Sequence, residues 1–142
     1  PLKNMKNHSN KIFHEVPKFL KVLGFKDAFL DTNSNEWVVE FIPTIEITHS
    51  NGSIVQGGFV TGMIDASMAQ CIMFLSDGKE LPLTLDIDVK FLNSCIPNKI
   101  VTAKSKIDKK GKSIVFTSGN LYQDDKLIAV ASATNKIIKA KD

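Results

Sequence analysis

Between Phe59 and Leu75, apolar residues recur at intervals of three and four: Phe59, Val60, Met63, Ile64, Met68, Cys71, Ile72 and Leu75. That spacing predicts a helix with one broad apolar face. Most positions between them are small (Thr61, Gly62, Ala66, Ser67, Ala69), so the back of the helix can also pack closely. A helix apolar nearly all round is a buried one, and an unpaired carboxylate in a core is costly. Asp65 is nevertheless the one formal charge in the stretch. It is expected either to face a polar cleft or to perform chemistry that offsets its cost.

Elsewhere the period is two. Trp37 to Ile47 reads as a strand, with Trp37, Val39 and Phe41 on one face, Val38 and Ile42 on the other, and a bend at Pro43. Leu83, Leu85, Ile87, Val89 and Phe91 alternate with Thr84, Asp86, Asp88 and Lys90, predicting a half-buried strand with Thr84 on its polar side. Asn93 to Asn98 turns the chain. Ile100–Asp108 and Ser113–Gln123 form a hairpin about Lys109–Lys112, and a second hairpin turns at Asp124-Asp125 and returns through Leu127 to Ile137. Ala129, Ala131 and Ala133 make a shallow stripe that would admit the long helix closely.

Pro1 to Ser9 are polar. Lys11–Leu23 is compatible with a helix capped by Asn10 and ended by Gly24, kinked or interrupted at Pro17; it would serve as a packing helix or as a lid. Phe25–Asn35 is ambiguous. The order is therefore one strand, a long buried helix and four strands. That is an α+β layout, whose simplest packing wraps one antiparallel sheet around the helix.

Before the helix, Asn51-Gly52 and Gly57-Gly58 mark a loop. Asn51, then Val55-Gln56-Gly57-Gly58-Phe59, then Met63-Ile64-Asp65 resembles the signature of hot-dog fold acyl-CoA thioesterases of the phenylacetate-degradation type, in the 4-hydroxybenzoyl-CoA thioesterase-like superfamily. There a His or Gln precedes the Gly-Gly pair and an Asp follows the second Gly by seven residues, as Asp65 follows Gly58. The resemblance extends through Thr84-Leu85-Asp86 and covers Trp37 to Ile137. It implies a hot-dog fold, an antiparallel sheet around a long central helix, over a single domain 1–142 with residues 1–24 as an N-terminal extension.

It also implies hydrolysis of an acyl-CoA thioester. Asp65 would be general base or nucleophile, and its bland alternative is a carboxylate bonded to nearby backbone. Gly57 and Gly58 open the helix, where free N–H groups and the positive dipole end can polarise a carbonyl; a tight turn explains them equally well. Gln56 stands where many relatives carry His and can orient but not take a proton. Asn51 resembles the family's loop Asn but lies five residues before Gln56 instead of six, leaving Ser50 at the expected position. Thr84 matches the Ser or Thr that positions water in relatives; from the polar side of its strand it would need strand twist or a subunit boundary to reach the site. Phe59, Met63, Met68 and Phe74 would line an acyl channel or form core. Lys109, Lys110 and Lys112 would meet coenzyme A phosphates or form a solvated turn. The resemblance further implies a homodimer or homotetramer, with Asp65 and Thr84 of one chain facing Gln56 and Gly57 of the other.

The alternatives are a hot-dog dehydratase or hydratase pairing His49 with Asp65, and a non-catalytic acyl-CoA-binding module. Composition narrows the field only slightly. With 142 residues, 43% hydrophobic and 23% charged, this is an ordinary globular chain large enough for a core. A net charge of +3 suits an anionic ligand and is too weak to argue for nucleic acid. Cys71 and Cys95 sit in apolar surroundings without metal spacing, and no metal or separate cofactor is expected beyond the coenzyme A of the substrate. No membrane span or signal peptide is expected, and a cytoplasmic location is; the chain opens on Pro1, as a trimmed N-terminus would.

Overall fold

The computed structural model describes residues 15–140. In chain order these form α1 (Lys18–Val22), β1 (Phe25–Asp31), β2 (Glu36–Phe41), a short 3-10 turn (Ile45–Ile47), α2 (Gly57–Leu75), β3 (Glu80–Phe91), β4 (Val101–Lys110), β5 (Ile114–Gln123) and β6 (Lys126–Lys139). The strands make one antiparallel sheet in the order β1-β2-β4-β5-β6-β3.

The sheet curls round α2. From α2, Val60, Met63, Ile64, Met68, Cys71 and Ile72 are buried. From the sheet come Trp37, Val39 and Phe41 of β2, Val101 and Ala103 of β4, Leu121 of β5, and Ala129, Ala131 and Ala133 of β6. Full burial of each large apolar side chain is worth roughly 1.5–3 kcal/mol. The small residues set the helix-to-sheet distance. At Gly119 of β5, an added Cβ would lie 3.2 Å from Ile64 and 3.4 Å from Met68, so α2 rests almost directly on the β5 backbone. Trp37 stacks on Phe74 with ring centroids 4.2 Å apart and donates from Nε1 to Gln70 Oε1 at 3.1 Å. By length and composition α2 is the one helix among the described residues apolar enough to cross a membrane. Here it is the core helix of the sheet.

Four sequence expectations change. Phe25–Asp31 is a strand, so two strands precede α2, not one; Asp31 Oδ1 accepts from Asn33 N at 2.9 Å to turn the chain into β2. β2 stops at Phe41 instead of running to Ile47. The Ile42 N–H goes to Gly24 O at 2.7 Å and Pro43 has no N–H for a ladder. Gly24 sits at φ +82°, and a Cβ there would collide with Ile42 O at 1.9 Å. α1 begins only after Pro17, whose carbonyl accepts from Leu20 and Lys21, so Pro17 interrupts the helical pattern; the expected cap Asn10 and first turn lie outside the described residues.

The fourth change bears on the site. β3 pairs with β6 in a register that shifts between Thr84 and Asp86, a β-bulge at Leu85. Beyond it, Ile87 and Val89 pair with Ala133 and Ala131 and face the helix as alternation requires. Before it, Thr84 pairs with buried Asn135 and faces the helix too. Leu81, Leu83 and Leu85 are exposed in consequence. Thr84 is therefore on the inner face, not on the polar side of the strand.

Candidate active site

Asp65 is half-buried on the flank of α2 that looks toward β3. Thr84, turned inward by the bulge, donates from Oγ1 to Asp65 Oδ1 at 2.8 Å. One carboxylate oxygen is thus oriented, and Oδ2 has no hydrogen-bond partner among the described residues. The pair stands at the wall of a cavity of about 440 Å³ whose lining is otherwise mainly apolar: Phe19 and Val22 from α1, Leu23 at its C-cap, Phe59 from α2 and Pro82 from β3, with Gly58, Gly62, Ala66 and Ala69 along the helix surface. Of the residues singled out for acyl contact, Gly58 and Phe59 border this space. Met63 and Met68 are fully buried in the core.

The start of α2 is built differently. Gln56 is its N-cap residue, and its side-chain Oε1 accepts from Gly58 N at 2.7 Å. Gln56 O accepts from Phe59 N and Val60 N. The Gly57 N–H is the first-turn donor left without an acceptor among the described residues. Both glycines sit close to side chains: a Cβ on Gly58 would displace the Gln56 cap, meeting its Oε1 at 2.7 Å, and one on Gly57 would press on the Phe91 ring at 3.3 Å. The preceding loop is pinned by the bridge Thr48–Val55 and by His49 N on Ile54 O at 2.8 Å. Asn51 serves that loop. Its Oδ1 accepts from Ser53 N at 3.2 Å and Ser53 Oγ at 2.9 Å, as an Asx turn does.

Gly57 borders a second cavity, of about 350 Å³, with His49, Phe91, Asn93 and Cys95 among its lining residues. Within one chain, therefore, Asp65 and Thr84 meet in one cavity, while Gly57 and His49 border another. Burial pushes the Cys95 thiol up to about 11. Burial, with the negative charge of Asp108 adding to it, pushes Cys71 up to about 12. Neither is a thiolate nucleophile at neutral pH. Among the described residues, no three of His, Cys, Asp and Glu come together as a metal would need.

Lys109 and Lys112 are exposed around the β4–β5 turn. Lys110 is engaged in a cluster that sequence reading did not anticipate. Its Nζ and that of Lys139, at 3.2 Å, hold the two carboxylate oxygens of Glu80, whose side chain is 8% exposed. The ion pair with Lys110 first, and Lys139 after it, keep the Glu80 carboxyl below the usual carboxylate range against the opposing effect of burial. The alternation of β3 gave no hint of this, because Glu80 precedes the periodic run.

The architecture, six antiparallel strands wrapped round one long helix, is the hot-dog fold. Residues 52–130 match the family model of the thioesterase superfamily, and the chain belongs to that superfamily. Among solved structures, it is similar to a phenylacetic acid degradation-related protein of Ralstonia eutropha, at 24% identity over 91% of this chain and 98% of that one, with a TM-score of 0.75. It is similar also to the PaaI protein of the Escherichia coli phenylacetic acid degradation operon, at 16% identity over 94% and 96%, with a TM-score of 0.77. A Streptococcus mutans protein solved bound to acetyl-CoA matches at 11% identity over 75% and 84%, with a TM-score of 0.66. No curated protein matches the chain's sequence.

Proposed function

We propose that this protein hydrolyses acyl-CoA thioesters and that Asp65 is its general base. The observation that carries the reading is the Asp65–Thr84 pair at the wall of an apolar cavity. Thr84 fixes Oδ1 at 2.8 Å, which leaves Oδ2 to take a proton from water. The water oxygen bonds to the thioester carbonyl carbon, the C–S bond breaks, and the proton held by Asp65 passes to the departing thiolate. The products are the free acid and coenzyme A. A coenzyme A-bound fold relative and the exposed positive charge of Lys109 and Lys112 support a coenzyme A thioester as substrate.

The oxyanion needs a donor, and the Gly57 N–H at the positive end of α2 suits it. It cannot serve Asp65 of the same chain. Eight residues of helix separate the two positions, roughly 12 Å of rise, against about 3 Å for a hydrogen bond. Two copies remove the difficulty. β3 lies at the free edge of the sheet, with Thr84 beside Asp65 and Phe91 beside Gly57. Antiparallel pairing of β3 with a second β3 sets the Thr84 end of each strand near the Phe91 end of the other. Asp65 of one copy then approaches Gly57 of its mate. A homodimer is thus part of the proposal, and it covers an edge otherwise prone to aggregation.

The test is Asp65→Asn, assayed by thiol release from a panel of acyl-CoAs. The variant is expected to fold and to lose at least two orders of magnitude in kcat, about 3 kcal/mol in barrier. Near-normal turnover would remove Asp65 from the chemistry.

A further inference from the structure

We infer that α1 and α2 together form the acyl subsite, an elongated groove for an unbranched apolar chain, with Gly62 setting its depth and Phe19 and Val22 its outer wall. The inference rests on the thioesterase reading for the position of the thioester at Asp65, and it names the substrate class which that reading leaves open.

The shape comes from α2. Gly58, Gly62, Ala66 and Ala69 border the cavity at intervals of four, four and three, a single row down one flank of the helix. Eleven residues of helix rise roughly 16 Å, so the floor is long, and it lies close to the helix backbone because none of its side chains exceeds a methyl group. Asp65 stands beside the middle of that row.

The wall comes from α1. This short helix divides its apolar side chains between two duties. Leu20, and Leu23 three residues on at the C-cap, are buried and anchor it in the core. Phe19 and Val22, also spaced by three, border the cavity yet remain 59% and 54% exposed. Two large apolar side chains held over an apolar groove, next to an oriented carboxylate, are covered when an alkyl chain lies beneath them. The floor and wall approach each other at Gly62, where an added Cβ would already touch Leu23 Cδ2 at 3.4 Å. A branched side chain at position 62 would fill the groove at that point. The cavity's 440 Å³ lies within the range of small-molecule sites and is ample for one alkyl chain.

The test uses S-alkyl-CoA thioethers, which no esterase can cleave, so it stands apart from turnover. Their affinities for the intact protein are measured by titration calorimetry, from S-ethyl through S-hexyl to S-decyl, with S-benzyl as the aryl arm. For the wild type, affinity is expected to rise roughly threefold to fourfold per methylene until the groove is full. In Gly62→Leu, the ratio of S-decyl to S-ethyl affinity is expected to fall at least tenfold. Phe19→Glu changes an exposed residue and so keeps the fold; it is expected to lower the same ratio several-fold. Affinities independent of chain length, S-benzyl binding more tightly than S-hexyl, or variants that weaken all thioethers equally would overturn the groove. A protein that shows the chain-length series yet hydrolyses no acyl-CoA would keep the groove and lose the thioesterase reading.

Discussion

Replacing Glu80 separates two roles that the lysines at the β4–β5 turn could play. Glu80 begins β3 with a side chain only 8% exposed, and it holds Lys110 and Lys139 together. Glu80→Gln keeps the volume and removes the charge. A hydrogen bond to a charged group is worth about 1.5–3 kcal/mol when desolvated. Both ammonium groups, however, are well exposed at 49% and 76%, so water replaces much of what they lose. With Lys110 near the bottom of that range and Lys139 valued as a surface pair, the expected loss is about 2 kcal/mol, a fall in Tm of roughly 4–8 °C. The pH dependence has a definite sign. The folded carboxyl titrates below its unfolded value, so its contribution is complete above the unfolded pKa of about 4.5 and is lost as pH falls through the folded one. Melting curves should therefore show wild type and Glu80→Gln converging on acidification. Lys110→Ala is expected to lose about 1–2 kcal/mol, whereas Lys109→Ala and Lys112→Ala stay within about 0.5 kcal/mol. A Glu80→Gln variant as stable as wild type at pH 7, or a gap that widens in acid, would refute the clamp.

Two other outcomes follow from single contacts. Thr84→Val keeps the shape and removes the donor to Asp65; kcat should fall about tenfold, near 1.4 kcal/mol, with KM little changed and Thr84→Ser largely restoring it. A fully active Thr84→Val enzyme would show that Asp65 needs no orientation. Cys71 and Cys95, with thiols pushed up to about 12 and 11, should resist iodoacetamide at pH 8 in the native protein and react once it is unfolded. Labelling of the folded protein at the rate of a free thiol would contradict their burial.

Much of this architecture was legible in periodicity. The three-and-four spacing from Phe59 marked α2 to within two residues of its start, and Gly57-Gly58 fell at that start because Gln56 folds back as the cap. The tight turn at Asp124-Asp125 was equally plain: both residues take positive φ, 52° and 62°, as such hairpins favour. The inward placement of Thr84 was not. Strand parity is a counting rule, and the one extra residue at Leu85 reverses it without a Gly or Pro at that position to signal the bulge. Nor does an apolar stripe say which neighbours it meets. Met63 and Met68 share a period with residues that line the cavity, yet they point into the sheet and are wholly buried. Val22, which borders the groove, carried no mark, and Gly62 read only as a small packing position, since what matters at both is the space between two helices.

The position of Asp65 answers the question that its sequence context raised. A carboxylate on a helix buried all round would cost several kcal/mol unless neutralised. But α2 is not enclosed equally on every side. β2, β4, β5 and β6 cover it with Trp37, Val39, Ala103, Leu121 and the alanine stripe. Among the described residues, the remaining flank meets the edge strand β3 and the short helix α1, which stand apart across the cavity. Asp65 lies on that flank, half-buried, and the bulge in β3 supplies the one hydroxyl it needs. An edge strand can carry such a bulge because only one neighbour's ladder has to absorb it. The same openness that lets the helix tolerate a charge leaves room for a ligand beside that charge and a free strand edge for a second chain. The cost of Asp65 is therefore lowered by the topology that makes it useful.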